Sequence, residues 1–456
     1  MKVRKKSFST KCSFTSAWKK GSIIVRLSSV IFGLGCFIRK QFVKGFMLLF
    51  SEIIILLFMI KEGMIHLKKL ITLGDVEQYK IWNEAKSIYE YVDGDRSLTI
   101  LLYGIITLAI LLCAFNLLRI SVINAYKAEE YVKNNKKPPS FRDEVRELFD
   151  GKLHKTLLFL PVSGVLIFTI LPLIFMMSMA FTNYSVENSK LVLFDWVGLK
   201  NFKNMINFGS SLGRTFWSVL GWTIVWAILA TFSNYFIGMI LAMFINWKEI
   251  RAKKFWRFCF VLTVAIPHFV TLLILRQMLQ PEGAINILLR SMGILEARES
   301  LPFFTNTTWA RITVILINIW VGVPYTLLQV TGILQNIPSE LYDSAKVDGA
   351  GPAMIFRKIT LPYMLFVTTP FLITVFAGNV NNFNVIFLTS QGYPRAVESI
   401  AGKTDLLITW LYKLTIENQY FDVGAVIGIM TFISLGIASL VSFRLSGSYK
   451  NEEGFR

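Results

Sequence analysis

Eight stretches of this sequence are too long and too apolar to fold as anything but membrane-crossing helices. They run approximately over residues 46–62, 98–120, 156–182, 216–246, 257–280, 309–334, 364–389 and 424–445. A bilayer core about 30 Å thick takes about 20 mostly apolar residues per helix. Inside it each backbone N–H and C=O must be satisfied by the segment itself, so an apolar run of this length implies a helix. Composition removes the soluble alternative: 54% of residues are hydrophobic and 17% charged, where a soluble domain carries about 25% charged residues. The expectation is an all-α integral membrane protein with about eight transmembrane helices. A shorter apolar stretch, 22–38, contains Arg26 and the pair Gly33 and Gly35. It reads as an interfacial or re-entrant segment, with a ninth span as the alternative.

Net charge is +19. In a soluble chain that would suggest nucleic acid, but cytoplasmic loops of membrane proteins also collect Lys and Arg. With the N-terminus placed inside, the inside segments 1–45, 121–155, 247–257, 335–363 and 447–456 hold 29 Lys and Arg. The outside segments 61–97, 183–214, 281–308 and 391–423 hold 15. The asymmetry places both ends in the cytoplasm and accounts for much of the charge without a nucleic-acid partner.

Three sections are expected. Residues 1–45 form a basic cytoplasmic N-terminus carrying the short apolar segment. Residues 46–154 form a two-helix section with an amphipathic helical insert in its outside loop, 61–97, and a charged linker holding Pro138-Pro139. Residues 155–450 form a six-helix core.

Chemistry motifs are missing. The histidines His66, His154 and His268 are scattered, and the cysteines Cys12, Cys36, Cys113 and Cys259 do not pair within any outside loop. No metal set, disulfide framework or catalytic residue is expected. Gly402-Lys403-Thr404 mimics the end of a phosphate-binding loop but lacks its first glycine. The chain is not expected to hydrolyse ATP. Asp and Glu are nearly absent from the spans, so no proton relay is visible.

The inside loop between the sixth and seventh spans is different. Ser339 after Pro338 suits a helix N-cap for a short helix over 340–347. Gly349 and Gly351 break it, Pro352 suits the first turn of a second short helix, and Pro362 is expected to end that helix. A compact helix–turn–helix knob at the cytoplasmic surface follows. Its sequence resembles the EAA motif of importer-type ABC permeases. Asp343-Ser344-Ala345 fills the opening triplet, Gly349 lies at the required offset, and Ile359-x-Leu361-Pro362 closes the motif over 337–362. Asp for Glu and Ser for Ala are its two departures.

The resemblance covers roughly residues 155–450. It is closest to the binding-protein-dependent sugar permeases of the maltose/maltodextrin (MalF) branch, in the Gram-positive form without a large extracytoplasmic domain. It implies the ABC type I importer permease fold. It also implies docking of the knob on a separate ATPase, where Glu340, Asp343 and Asp348 would pair with basic groups. Ser344, Ala345, Gly349 and Ala350 would allow close approach, Met354 or Phe356 would serve as an apolar plug, and Ile359, Leu361 and Pro362 complete the motif. Asn318, Val321, Gly322 and Tyr325 in the sixth span, with Asn379 and Asn382 in the seventh, match positions that line the sugar site. A sugar needs amide and hydroxyl partners and an aromatic face, although buried Asn in membrane bundles also serves helix-to-helix bonding. Implied partners are a second permease subunit of the MalG kind, two ATPase subunits of the MalK kind, a lipid-anchored solute-binding protein and an oligosaccharide. ATP and Mg would sit on the ATPase, leaving this chain without a cofactor. The expected function is ATP-driven import of maltodextrin or maltose-type oligosaccharides. Permeases for galacto-oligosaccharides or raffinose-type sugars are the nearest alternative, and a secondary carrier the more distant one.

Overall fold

The computed structural model describes residues 12–84, 86, 88–186, 192–247, 249–395 and 399–445. The basic residues at the extreme N-terminus and all residues after 445 lie outside this set. The chain is mostly helical and divides into two compact units, Met1–Val197 and Gly198–Arg456. Among the described residues, seven helices are long and apolar enough to cross a membrane, and a bent pair makes a possible eighth. The division falls after the third span.

The first unit contains the spans Phe42–Thr72, Ser97–Lys133 and Leu153–Met179. At about 1.5 Å per residue, the 37 residues of Ser97–Lys133 exceed the thickness of a bilayer core, so this helix projects beyond it. Its far end holds the 12–40 segment. That segment forms three short helices, Phe14–Lys20, Ile23–Leu27 and Leu34–Ile38, none long enough to span, which removes the ninth-span alternative. Ala17 and Val25 bury against Val122, Ala125 and Tyr126. Glu129 is the polar anchor. It accepts from Arg39 at 2.8 Å, Lys133 at 2.6 Å and the Ser22 hydroxyl at 2.6 Å. Glu52 accepts from the Phe32 N–H at 2.8 Å. A carboxylate this buried is tolerable because cations and hydroxyl donors surround it.

The 61–97 loop of this unit corrects the expected helical insert. The first span runs on to Thr72, and two antiparallel strands follow, β1 Tyr79–Asn83 and β2 Ile88–Val92, with Tyr79 opposite Val92 and Ile81 opposite Glu90. Aromatic and β-branched residues at alternating positions favour a pleated surface over a helix. Trp82 and Tyr89 pack edge to face with centroids 4.9 Å apart.

The second unit is built around the helix Ser211–Asn246, capped by the Ser210 hydroxyl accepting from the Gly213 N–H at 2.9 Å. Its next span is broken. Pro267 biases Ile266 towards an extended conformation, so Lys253–Ala265 ends and His268–Met278 leaves at 87°. Thr307–Leu334 follows, capped by the Asn306 side chain, which accepts from Thr308 and Trp309. The last two spans are Pro352–Leu388 and Phe421–Arg444. Two cores lie along Ser211–Asn246. One joins Trp226, Ala230, Ile317, Val380 and Ile386; the other joins Tyr235, Met239, Leu327 and Met364.

Replacing Glu129 by Ala leaves Arg39 buried and unpaired. The expected cost to the first unit is about 3–5 kcal/mol. Limited proteolysis of the purified chain checks this: cleavage within 12–40 is expected to accelerate in Glu129→Ala and far less in Lys133→Ala.

Candidate functional site

Ser211–Asn246 carries a polar layer into an otherwise apolar bundle. Thr231 and Asn234 are both buried on it, three residues apart and so on one face. From the seventh span, Asn379 donates its amide to Thr231 Oγ1 at 2.9 Å. The Asn379 carbonyl accepts from Trp226 Nε1 at 3.1 Å. Asn382 donates to Asn379 Oδ1 at 3.4 Å and caps the short helix Phe383–Leu388 by accepting from the Val385 N–H at 3.3 Å. From the sixth span, Gly322 lies directly against Asn234, and a Cβ at 322 would overlap the Asn234 amide. Glycine is therefore the residue that lets the two helices close over this side chain.

Two atoms of this layer are not satisfied. Asn234 Oδ1 and Asn318 Nδ2 are buried without a hydrogen-bond partner. An orphaned buried polar group costs about 1–3 kcal/mol. One orphan accepts and the other donates, and a sugar hydroxyl does both. None of the polar-layer residues carries a charge, which suits a neutral ligand.

The six sugar-site positions read from the sequence are thus treated differently by the fold. Gly322 and Asn379 come to one helix, Ser211–Asn246, and Asn318 is buried one turn before Gly322. Val321 packs on the apolar core beside them. Asn382 serves as a cap. Tyr325 is 45% exposed, so the face shared by 318, 322 and 325 is covered at its first two positions and open at the third. Asn234 and Thr231 escaped the sequence reading, although an Asn within an apolar span is the same signal that singled out Asn318.

The segment after the seventh span is fixed on the same helix. Trp222 Nε1 donates to the Thr404 carbonyl at 3.2 Å, and Leu407 N–H donates to Thr223 Oγ1 at 3.1 Å. A buried ion pair holds it: Lys413 Nζ lies 2.6 Å from Asp405 Oδ2 and also donates to the Gln391 carbonyl at 2.8 Å. Burial pushes the Lys413 ammonium below its ordinary range, and Asp405 opposes that shift. Gly402-Lys403-Thr404 belongs to this folded segment: the Gly402 N–H donates to Asp405 Oδ2 at 2.7 Å.

The knob forms with two corrections. Its first helix is Ser339–Val347 with Pro338, not Ser339, at the cap position. Pro362 does not end the second helix. Pro352–Ile355 continues through a π-turn, Phe356–Thr360, into Leu361–Val380. The widened turn accommodates a proline that has no N–H to give. Gly349 adopts φ +77, a left-handed conformation costly to any other residue. There the Gly349 and Ala350 N–H groups close the helix on Lys346 and Ala345 carbonyls at 3.0 and 2.9 Å.

The inner face of the knob is anchored. Ile337, Tyr342, Phe356, Ile359 and Leu361 pack on the lower core, and the Tyr342 hydroxyl meets Thr360 Oγ1 at 3.2 Å. The outer face is open. Glu340, Asp343, Ser344, Asp348 and Gly349 are exposed, with Ala345 and Ala350 half-buried. Asp343 and Lys346 approach to 3.5 Å. Met354, 60% exposed, points outward, while Phe356 turns inward. Val347, 88% exposed, is an outward apolar residue that sequence reasoning missed. No group of three or more potential metal ligands exists among the described residues.

The second unit joins membrane-crossing helices, a surface knob and an uncharged polar layer. Residues 234–447 match the family model of the binding-protein-dependent transport system inner membrane component. The galactooligosaccharides transport system permease GanP of Bacillus subtilis is 32% identical, over 94% of this chain and 99% of its own length. The maltodextrin permease MdxF of the same organism is 34% identical, over 94% and 96%. The maltose/maltodextrin permease MalF of Escherichia coli is 34% identical over 54% of this chain and 48% of its own. Two crystal structures of a bacterial ABC transporter for alginate share the fold. One superposes with a TM-score of 0.52, at 21% identity over 66% of this chain and 96% of that one. The other, in complex with an alginate pentasaccharide-bound periplasmic protein, gives 0.54 at 21% identity, over 67% and 98%. The chain belongs to the family of permease subunits of binding-protein-dependent ABC importers.

A Cβ at 322 displaces the Asn234 amide, so Gly322→Ala is expected to lower substrate transport at least tenfold while leaving membrane insertion and assembly intact. Uptake kinetics beside quantitation of the chain in membranes checks this.

Proposed function

We propose that this chain is the sugar-conducting subunit of an ATP-driven importer for maltodextrin or maltose-type oligosaccharides. The observation that carries the reading is the uncharged polar layer on Ser211–Asn246, with Asn234 Oδ1 and Asn318 Nδ2 left unpaired beside Gly322 and Asn379. Hydroxyls of a neutral sugar supply both a donor and an acceptor to such a layer. Tyr325, exposed one turn on, offers the aromatic face.

Both ends and the knob lie in the cytoplasm, as the Lys and Arg distribution favours. A second permease subunit completes the pathway, and two ATPase subunits bind and hydrolyse ATP with Mg. The exposed face of Glu340, Asp343, Ser344, Val347 and Met354 docks on one ATPase. The inward face moves with the lower core, so ATPase closure is transmitted to the spans around the polar layer. A solute-binding protein delivers the sugar from outside. In a Gram-positive cell it is lipid-anchored. Hydrolysis then resets the inward-facing state.

Galacto-oligosaccharide is the second reading, favoured by the near full-length similarity to GanP. Uptake of labelled sugars by cells lacking only this chain, with restoration from a plasmid, separates the two. Restorable loss of maltotriose and longer maltodextrins is the expected result. Selective loss of galacto-oligosaccharides keeps the importer and overturns the substrate.

The coupling role has its own test. Pro cannot adopt the φ of +77 found at Gly349. Gly349→Pro is expected to abolish uptake while the chain still inserts, and normal uptake by that variant would remove the knob from the mechanism.

A further inference from the structure

The β1–β2 hairpin of the first unit carries an open aromatic face. Residues opposite one another in an antiparallel pair share a face. The pairings of Lys80 with Tyr91 and of Trp82 with Tyr89 therefore put these four side chains together. Their contacts agree: Trp82 and Tyr89 pack edge to face, and Lys80 Nζ lies 4.9 Å from the Tyr91 ring centroid. Trp82, Tyr89 and Tyr91 are 47%, 65% and 61% exposed. The opposite face carries the charged network, in which Glu90 accepts from Asn83 at 3.0 Å and from Lys86 at 2.8 Å. A two-stranded hairpin alone in water is at best marginally stable, and this one is amphipathic.

The hairpin is also held close to the bilayer. Residues 73–78 alone separate β1 from the span ending at Thr72, and residues 93–96 separate β2 from the span starting at Ser97. Its base is pinned to those span ends. Asp95 accepts from Lys69 and from the Asp75 N–H at 3.2 Å, and the Asp95 N–H donates to the Val76 carbonyl at 2.8 Å. Trp and Tyr favour the headgroup level of a membrane, where the ring lies in apolar surroundings and its N–H or O–H stays wet. A lysine stem among them lets the ammonium reach water and phosphate. Five residues of strand span about 17 Å, whereas the headgroup layer is about 5–8 Å deep in each leaflet. Only a hairpin lying flat keeps all three rings at that level. We infer that the hairpin lies along the bilayer surface, with Trp82, Tyr89 and Tyr91 seated among the lipid headgroups and the Glu90 face in water. Oligosaccharides also stack on aromatic rings, but the two adjoining span ends favour lipid.

The experiment places the full chain in phosphatidylcholine nanodiscs and oxidises it with hydroxyl radicals, reading each modified residue by mass spectrometry. Tyr79, 49% exposed on the opposite face, is the internal standard. Tyr89 and Tyr91 are more exposed than Tyr79 in the chain itself, yet they are expected to oxidise about threefold more slowly, or slower still, once seated in the headgroup layer. A phosphatidylcholine with a photoreactive group near its glycerol is expected to label Trp82, Tyr89 or Tyr91. Oxidation of Tyr89 and Tyr91 as fast as Tyr79 overturns the membrane contact, and so does protection without lipid labelling. Protection that appears only after a maltodextrin is added overturns it in favour of a carbohydrate platform. Protection that appears only with the solute-binding protein or the second permease overturns it in favour of a protein contact.

Discussion

The second unit depends on the packing of one helix, Ser211–Asn246, against two others. It forms both cores, the upper around Trp226 and Ala230 and the lower around Tyr235 and Met239. Between them it presents Thr231 and Asn234. Lipid supplies no hydrophobic drive between helices, so close approach and interhelical hydrogen bonds must hold such a bundle. Both devices occur at this layer: Gly322 gives the close approach, and the bond from Asn379 to Thr231 gives the polar contact. The layer is at once structural and incompletely satisfied.

The knob is linked to that helix by packing rather than by a rigid tether. Phe356 and Ile359 belong to the same lower core as Tyr235 and Leu327. The π-turn at Phe356–Thr360 then passes directly into Leu361–Val380, which ends at Asn379 and Val380. A single continuous element therefore runs from the knob to the polar layer. Displacement of its lower end would reach the Asn379 amide through one helix.

Much of this was legible in the sequence. The spans could be read because length and apolarity in a membrane leave only one backbone solution. The knob could be read because Gly349 and Pro352 have narrow backbone uses, and both occupy them. Other features were hidden. Pro362 ordinarily stops a helix, but a π-turn absorbs it. The pairing of Tyr79–Asn83 with Ile88–Val92 is hidden because a short segment with mixed apolar and charged residues fits a helical or a strand period, and cross-strand partners decide. Asn234 was missed because its environment depends on Gly322, 88 positions away in sequence. Which of Met354 and Phe356 points outward is likewise a matter of tertiary packing.

We propose that this chain conducts a neutral oligosaccharide and draws its energy from a separate ATPase. The most direct measurement is uptake of labelled maltotriose into proteoliposomes containing this chain, its partner permease and ATPase, with the binding protein outside and ATP inside. The account expects accumulation that requires both ATP and the binding protein and that is lost when the ATPase is omitted. Uptake that persists without the ATPase would contradict it and make the chain a self-sufficient carrier.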